Sequence, residues 1–412
     1  MGIPYYFASL LRSHKHIQQK WMQTMEVDCL GVDFNCFIHA YLRAENPVGS
    51  IIVAFHDLVT NIVRAKKVYV AFDGLVPFAK MVQQRYRRMK KADEIPEFDK
   101  NQISPGTPFM RELADTLRFM YPEIIVSDTL EPGEGEHKIF TWLRTLSSED
   151  RKSTLIYGLD ADLIVISLAQ SHLSWIRLLR EQDAGDYTTV DIQALRVVLP
   201  VDPETYIKMS IMCFGNDFMP NLAMFSLRED GYNRAIYYAT RNDANKDERK
   251  ILLKRAKDHD RRIVATDAHA LEARFGCQLM DGVLDWEPVC FAFWKTYEWV
   301  YHYFTTSEVL DWEWYYPYPE APLLQTLEDF DRPTDFTWEH PKPTMTVDQQ
   351  LDFILPEQSL RKAGKSPAFP DELYDEMTET RHPWMRRYAW ENDPWVSLPH
   401  GTLTSVTEYR VK

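Results

Sequence analysis

Glu131-Pro132-Gly133-Glu134-Gly135-Glu136-His137-Lys138 is the segment on which the prediction of the fold rests. Two glycines space its carboxylates, and an apolar run with helical spacing follows at Ile139, Phe140, Leu143 and Leu146. The pattern predicts a loop that enters a helix, with Glu134 and Glu136 at or near the first turn. A helix N-terminus favours the ionised form of a carboxylate, which is the form that a hard cation binds. Taken alone, the segment would also fit a solvated acidic turn.

Four short apolar segments have the composition of buried β-strands, and these are residues 28–35, 67–74, 123–127 and 154–162. The third of them leads into the segment quoted above. Amphipathic helix patterns lie over residues 3–13 and 51–62. Strands that alternate with helices predict parallel βαβ units. The sequence therefore predicts an α/β fold with a central, mostly parallel sheet flanked by helices.

Seven carboxylates lie at the ends of apolar segments: Asp33, Asp73, Glu134, Glu136, Asp160, Asp162 and Asp217. In open α/β sheets, functional sites form outside the carboxyl ends of the strands. A cluster of carboxylates is too costly to be merely structural unless a positive charge lies within it. Because no His–Cys cluster accompanies the acids, they suit Mg²⁺ or Mn²⁺ rather than zinc. Two such ions, about 3.5–4 Å apart, would clamp the attacking and leaving oxygens of a phosphodiester.

A basic helix is predicted directly after Asp73, beginning at Pro77 and running to about Lys91. Its polar face is formed by Lys80, Gln84, Arg87 and Arg88, and its opposite face is apolar. Guanidinium groups are suited to bidentate contact with phosphate. We interpret this face as a phosphate site beside the metal ions, with an ordinary solvated basic face as the alternative.

The composition limits the class of protein. The chain has 412 residues, of which 45% are hydrophobic, so it can bury a sizeable core. A net charge of −14 argues against a protein that coats nucleic acid regardless of sequence. No apolar stretch has the length of a membrane helix, and the first residues lack the organisation of a secretory signal. The five cysteines form no close pairs, which is typical of reduced core residues in an intracellular protein.

These residues together resemble the XRN-type 5′-to-3′ exoribonucleases. The resemblance covers roughly residues 1–230 and returns more weakly over about 285–360. It rests on the segment quoted above together with Met1-Gly2-Ile3-Pro4 and Phe7, 33–39, 72–74 with 79–88, 105–110, 158–163 and 215–220. The order and number of these stretches make chance an implausible explanation.

The resemblance implies a PIN/FEN-like nuclease core with a helical, aromatic-rich C-terminal region. It implies a Mg²⁺-dependent enzyme that removes mononucleotides from single-stranded RNA with a 5′-monophosphate. The seven acids would hold two metal ions, and the pocket for the 5′-phosphate would be formed by Lys80, Gln84, Arg87 and Arg88. In the family a His and a Trp stack on the first bases, and we match them to His39 and Trp299, although aromatic residues crowd the second region.

The same resemblance predicts four regions in the chain. They are an acidic nuclease domain at 1–240, a charged helical connector at 241–275, a second conserved region at 276–360 that packs on the nuclease domain, and a divergent tail at 361–412. The segment from Arg88 to Pro105 is shorter than the family leads us to expect, which suits a viral or reduced eukaryotic version. We expect a monomer in the cytoplasm, without excluding the nucleus, that binds no membrane and has the decapping machinery as a partner to consider.

Two other functions remain open at this point. The first is a structure-specific flap DNA endonuclease, a relative with a similar acidic centre. Such enzymes have a Gly-rich duplex-binding motif soon after the last Asp, and the residues after Asp217 lack these glycines. The second is a catalytically inactive module that binds RNA 5′ ends, against which the presence of all seven acids argues.

Overall fold

The computed structural model describes residues 2–3, 5–43, 45–89, 98–183, 185–227, 230–241, 285–318 and 321–366. The predicted connector at 241–275, apart from Arg241, and the predicted tail beyond residue 366 lie outside these residues. The division of the chain into four regions stays a prediction. Within the described part of the chain, none of the helices combines the length and apolar character that a membrane span requires.

A seven-stranded sheet forms the centre of the fold. In chain order its strands are β1 (Gln18–Lys20), β2 (Met25–Asp33), β3 (Val63–Ala71), β4 (Ile125–Ser127), β5 (Ser153–Tyr157), β6 (Trp175–Asp183) and β7 (Asp186–Asp191). Their order across the sheet is β1-β7-β6-β5-β2-β3-β4. The pairs from β6 through to β4 are parallel, whereas β7 pairs antiparallel with β6 and β1. The predicted α/β fold with a mostly parallel sheet is therefore confirmed.

Helices flank the sheet and continue into a helical C-terminal part. In the first half of the chain they are α1 (Tyr6–Ser13), α2 (Phe34–Tyr41), α3 (Pro47–Asp57), α4 (Phe78–Met89), α5 (Pro108–Met120), α6 (Gly135–Thr145) and α7 (Asp162–Ala169). They are followed by α8 (Ile192–Val198), α9 (Pro203–Phe214), α10 (Gly231–Arg241), α11 (Glu287–Thr306), α12 (Leu324–Asp329), α13 (Val347–Ile354) and α14 (Glu357–Lys362). At least six of these helices begin where the side chain of the residue before them accepts a backbone N–H, and these residues are Asp33, Asn46, Thr107, Asp191, Asp202 and Thr346.

Side chains of the central strands alternate between two apolar layers. In β2, Cys29 belongs to the layer that contains α6, α7, α9 and α11, whereas Leu30 and Val32 belong to the layer that contains α2, α3 and α5. This period of two is expected for a strand that is covered on both faces. A third apolar cluster joins α4 to α13 through residues that include Val82 and Leu351. Helix α4 is therefore held between the sheet and the C-terminal part.

Candidate active site

Three of the predicted acids lie beyond the carboxyl ends of adjacent parallel strands. Asp33 is the last residue of β2, Asp73 follows β3 by two residues, and Asp160 follows β5 by three. Because β2 lies between β3 and β5, the topology brings these carboxylates to one edge of the sheet. Asp73 is fixed by Asn35, whose Nδ2 donates to Asp73 Oδ2 over 3.0 Å and whose Oδ1 accepts from the Asp73 N–H over 3.1 Å.

The segment quoted first forms the start of α6, as predicted. Glu134 is the residue before the helix, and Glu136 lies in its first turn. The backbone N–H of Gly135 donates to Asp73 Oδ1 over 2.8 Å. A Cβ atom at Gly135 would lie 3.2 Å from Asp33 Oδ1 and 3.5 Å from Asp73 Oδ1, so the helix start lies directly against both carboxylates. Glycine at this position leaves room for the two side chains.

The two remaining acids enter from α7 and from the loop after α9. Asp162 is the first residue of α7, and Asp217 lies in the loop after α9. Both side chains are buried, and Asp162 Oδ1 has no hydrogen-bond partner among the described residues. A Cβ atom at Gly2 would lie 2.3 Å from that oxygen, so the residues before α1 pack against Asp162.

The seven acids lie close enough for their negative charges to act on one another, and we call them the acidic cluster. Burial, together with the charges of Asp73 and Asp160, raises the pKa of Asp33 to about 7. Burial and the charges of Asp160 and Asp217 raise the pKa of Asp162 to about 7. The pKa of Glu136 is raised well above its usual value by burial and by the charges of Glu134, Asp33 and Asp73. The cluster therefore has more negative charge than its protein surroundings offset.

Lys80 supplies a positive charge inside this cluster. Its Nζ lies 2.6 Å from Glu134 Oε2 and 2.8 Å from Asp217 Oδ2, and all three side chains are buried. Although burial alone would lower the pKa of Lys80, the charges of Asp217 and Glu134 raise it well above its usual value. The prediction placed Lys80 in the phosphate pocket, whereas in this structure its ammonium group is bonded to the acids.

The other residues of the predicted phosphate face lie further along α4. Gln84 is buried, Arg87 is exposed, and Arg88 Nη2 donates to the Ile103 carbonyl over 3.2 Å. Arg88 Nε is buried and has no hydrogen-bond partner among the described residues. The ring of His39 on α2 is exposed, yet desolvation by the surrounding groups and the charges of Arg87, Arg88 and Lys100 lower its pKa. Arg87, Arg88 and Lys100 thus form a basic cluster with His39.

Trp299 does not lie in this basic cluster. It is fully buried in α11, its Nε1 donates to the Asp311 carbonyl over 2.9 Å, and its ring packs against Phe218 and Tyr303. In this arrangement the ring presents no face on which a base could stack. The stacking role of Trp299 stays a prediction that the arrangement does not support.

The C-terminal part contributes side chains to the acidic cluster that the sequence did not indicate. Tyr303 on α11 donates from its hydroxyl to Glu134 Oε1 over 3.0 Å, and its ring stacks on His137 with centroids 3.6 Å apart. Lys138 on α6 donates to the carbonyls of Phe72 and Asp128 and so holds the loop before Asp73. The contacts of Tyr303 with Glu134 and of Lys138 with Phe72 have no local sequence signal, because they join residues that are 169 and 66 positions apart.

The donor set fits divalent cations by its chemistry. All seven acids offer oxygen ligands, burial and mutual repulsion strongly raise the pKa values of Asp33, Asp162 and Glu136, and Asp162 Oδ1 is buried without a donor among the described residues. Within the described ranges, no three His, Cys, Asp or Glu side chains converge on one point in the geometry of a metal site. The ammonium group of Lys80 connects Glu134 with Asp217.

Comparison with known families finds a match to the family described as XRN 5′-3′ exonuclease N-terminus, over residues 1–97 and 90–182. The chain is similar to 5′-3′ exoribonuclease 1 of Saccharomyces cerevisiae, with 34% identity over 235 residues, which cover 44% of this chain and 15% of the yeast protein. It is also similar to 5′-3′ exoribonuclease 2 of Candida albicans, with 28% identity over 306 residues, which cover 51% of this chain and 32% of that protein. The chain therefore spans only a minor part of these relatives.

Comparison with solved structures finds a likeness to the catalytic core of Rad2 in complex with DNA substrate. The sequence identity is 15% and the TM-score is 0.42, over 90% of this chain and 98% of that chain. A likeness at this level does not by itself establish a common reaction.

Proposed function

We propose that this protein is a Mg²⁺-dependent 5′-to-3′ exoribonuclease, because residues 1–97 and 90–182 are similar to the XRN 5′-3′ exonuclease N-terminus. Its substrate would be single-stranded RNA with a 5′-monophosphate, and its products would be mononucleotides. Mn²⁺ would serve in place of Mg²⁺, since both prefer oxygen ligands. A cytoplasmic location, action as a monomer and supply of 5′-monophosphate ends by the decapping machinery belong to the same proposal and rest on the resemblance alone.

One observation carries the proposal: helix α4 joins the acidic cluster to the basic cluster. Lys80 near its start contacts Glu134 and Asp217, and Arg87 and Arg88 near its end lie beside His39. Lys80 and Arg87 are seven positions apart on α4, which corresponds to about 10 Å along the helix axis. A 5′-phosphate bound at the basic cluster would therefore leave a following phosphodiester near the acids.

The chemistry is a hydrolysis between the first two nucleotides. When bound, two divalent cations would supply an activated water and neutralise charge on the scissile phosphate. Asp33, Asp73, Glu134, Glu136, Asp160, Asp162 and Asp217 would hold them. The oxygen of a water molecule forms a bond to phosphorus and loses a proton, the bond between phosphorus and the 3′ oxygen of the first nucleotide breaks, and that 3′ oxygen takes up a proton. The shortened RNA retains the phosphate at its new 5′ end, which is again a substrate.

Recognition of the 5′ end would depend on Gln84, Arg87, Arg88 and, once it leaves the acids, Lys80. Arg88 offers a buried Nε–H that no described protein group accepts, and its Nη2 is held by the Ile103 carbonyl. A charged donor in a site of restricted water makes strong hydrogen bonds to phosphate. A triphosphate or a cap would add bulk and negative charge beside the acidic cluster, so such ends should resist.

The test is a time course on four RNAs that differ only at the 5′ end, carrying a monophosphate, a hydroxyl, a triphosphate or a cap. We expect Mg²⁺-dependent release of mononucleotides from the monophosphate RNA, slow release from the hydroxyl RNA, and resistance of the other two. Asp160→Ala should abolish release, whereas Asp115→Ala, at an exposed position on α5, should not. Equal rates on all four ends, or cleavage of a 5′-flap DNA in preference to RNA, would contradict the proposal.

A further inference from the structure

A buried glutamine of the C-terminal part forms hydrogen bonds with the backbone between the acids and the basic helix. Gln350 lies on α13 and is completely buried. Its Nε2 donates to the Gly74 carbonyl over 3.3 Å, and its Oε1 accepts from the Val76 N–H over 2.9 Å. One side chain thus binds the backbone on both sides of Leu75.

The other edge of the same backbone is bound by the loop that carries Glu134. The Gly74 N–H donates to the Gly133 carbonyl over 2.9 Å, and the Gly133 N–H donates to the Leu75 carbonyl over 2.7 Å. Residues 74–76 therefore form a short piece of backbone that is bound by Gly133 on one side and by Gln350 on the other. There is little space for it to shift, since a Cβ atom at Gly74 would lie 1.9 Å from the Glu131 carbonyl oxygen.

This short piece connects two functional elements. Asp73 precedes it directly, and α4 begins at Phe78, two residues after Val76. The Phe78 N–H donates to the Trp312 carbonyl over 2.9 Å, so the start of α4 also depends on the C-terminal part. A displacement of residues 74–76 would move Asp73 and the phosphate-binding face of α4 relative to each other.

Apolar contacts alone would not fix the position of residues 74–76 against α13. Leu75, Val76 and Phe78 pack against Leu351 and Ile354 of α13, and such contacts are not directional. An apolar residue at position 350 would fill the same space but would leave the Val76 N–H and the Gly74 carbonyl buried and unpaired. Hydrogen bonds to both groups select one alignment of residues 74–76 against α13.

We propose that Gln350 is a positioning residue that sets the distance between the acidic cluster and the 5′-phosphate site, an inference that rests on the proposed function. It touches neither substrate nor metal and acts through residues 74–76. Its loss should therefore reduce discrimination between 5′ ends as well as the rate.

The experiment measures kcat/KM on monophosphate and hydroxyl RNAs for wild type, Gln350→Met and Gln170→Met. The ratio of the two values does not depend on the fraction of active enzyme, so a loss of stability alone leaves it unchanged. Gln170 is the matched control, because it is equally buried and its Nε2 donates to the Phe304 carbonyl and to Ser307 Oγ, each over 3.1 Å, at the far end of α7. We expect the ratio to fall roughly tenfold in Gln350→Met, within the ~10²-fold that a 1 Å misplacement can cost, and to stay at the wild-type value in Gln170→Met.

The possible outcomes test the positioning role of Gln350 and the proposed function separately. A wild-type ratio in Gln350→Met overturns the positioning role while leaving the proposed function intact. A wild-type enzyme that does not distinguish the two ends overturns the proposed function and this inference with it. If far-UV circular dichroism shows that Gln350→Met is unfolded, Gln350→Glu, which keeps an acceptor for the Val76 N–H, is measured in the same way. Failure of both variants to fold assigns Gln350 to stability alone and overturns the positioning role.

Discussion

Lys80 Nζ lies 2.6 Å from Glu134 Oε2, so the helix predicted to bind phosphate is joined to the acidic cluster by a buried ion pair. The same Nζ lies 2.8 Å from Asp217 Oδ2. One ammonium group therefore partly offsets the repulsion between two carboxylates that come from different parts of the chain. Glu134 and Asp217 are two of the residues that would hold divalent cations, which would also offset this repulsion.

Replacing Lys80 with methionine should destabilise the metal-free protein. Removal of one partner from a buried ion pair costs about 3–5 kcal/mol, because the remaining charge stays buried. We expect Mg²⁺ to restore more stability in Lys80→Met than in wild type, since ligand binding stabilises the folded state. Urea unfolding with EDTA or with Mg²⁺ measures this. Lys152→Met, at a pair with Glu149 in which both side chains are exposed, is the control and should change little. Equal effects of the two substitutions would show that Lys80 does not balance the acids.

Replacing Tyr303 with phenylalanine should slow the reaction with little effect on substrate binding. The substitution removes the hydroxyl that donates to Glu134 Oε1 and keeps the ring that stacks on His137. A hydrogen bond to a charged group contributes about 1.5–3 kcal/mol, which corresponds to a fall in kcat of about 10- to 100-fold. Tyr206→Phe removes an equally buried hydroxyl that bonds to Tyr6, and it should leave kcat unchanged. A similar kcat for Tyr303→Phe and wild type would remove Tyr303 from the site.

Replacing Gly135 with alanine should separate activity from stability. The added methyl group would lie 3.2 Å from Asp33 Oδ1 and 3.2 Å from the Ala71 carbonyl oxygen, so the carboxylate and the end of β3 must shift by a few tenths of an ångström. Because Gly135 is the first residue of α6 and has no positive φ, alanine itself is acceptable there, and the free energy of unfolding should change by no more than about 1 kcal/mol. We expect a clear loss of activity and a weaker thermal shift with Mg²⁺. Full activity would place Asp33 away from the reaction.

The sequence predicted the central part of the fold because its signals there are local. Strands β2, β3 and β5 are apolar segments that end near carboxylates, and α6 starts where two glycines and two glutamates precede an apolar run. Strand β1 has no such signal, since Gln18–Lys20 is polar and depends on pairing with β7. The exposed side chains of β1 are consistent with an edge strand, which sequence periodicity cannot identify.

Sequence reasoning could propose only those site residues that lie next to a local strand or helix pattern. All seven acids lie at the ends of apolar segments, and the structure gathers them. The contacts of Tyr303 with Glu134 and of Gln350 with Gly74 join residues that are 169 and 276 positions apart in sequence. No pattern within a single helix or strand encodes a pairing of that kind. The choice of Trp299 as a stacking residue had the same difficulty, because a buried tryptophan and an exposed one have the same sequence signature.

Replacing His39 with glutamine should reduce the sensitivity of stability to acid. Desolvation and the charges of Arg87 and Arg88 lower the pKa of His39 in the folded protein. In the unfolded chain the ring takes up a proton near pH 6.5, so the unfolded state binds more protons below about that pH. The contribution of the neutral ring is present above about pH 6.5 and is lost as the pH falls towards the folded-state pKa. Between about pH 7 and pH 5, His39→Gln should lose less stability than wild type or His172→Gln, measured by thermal unfolding. Parallel curves for all three proteins would contradict this.

Replacing Arg88 with alanine should narrow the difference between monophosphate and hydroxyl RNAs. Arg88 presents a buried Nε–H for which no described residue offers an acceptor, and burial together with Arg87 lowers its pKa to about 10, so that it stays charged at neutral pH. Its loss removes a contact that only the phosphorylated end can make and spares the acids. We expect kcat/KM on the monophosphate RNA to fall by about 10-fold or more, which corresponds to about 1.4 kcal/mol for a charged hydrogen bond, while the value on the hydroxyl RNA changes little. Arg85→Ala is the matched control, because Arg85 lies on the same helix but faces α13, with its guanidinium 4.8 Å from the centre of the Phe353 ring. If both variants keep the wild-type preference for the monophosphate, α4 does not read the 5′ end, and its basic face only contacts solvent.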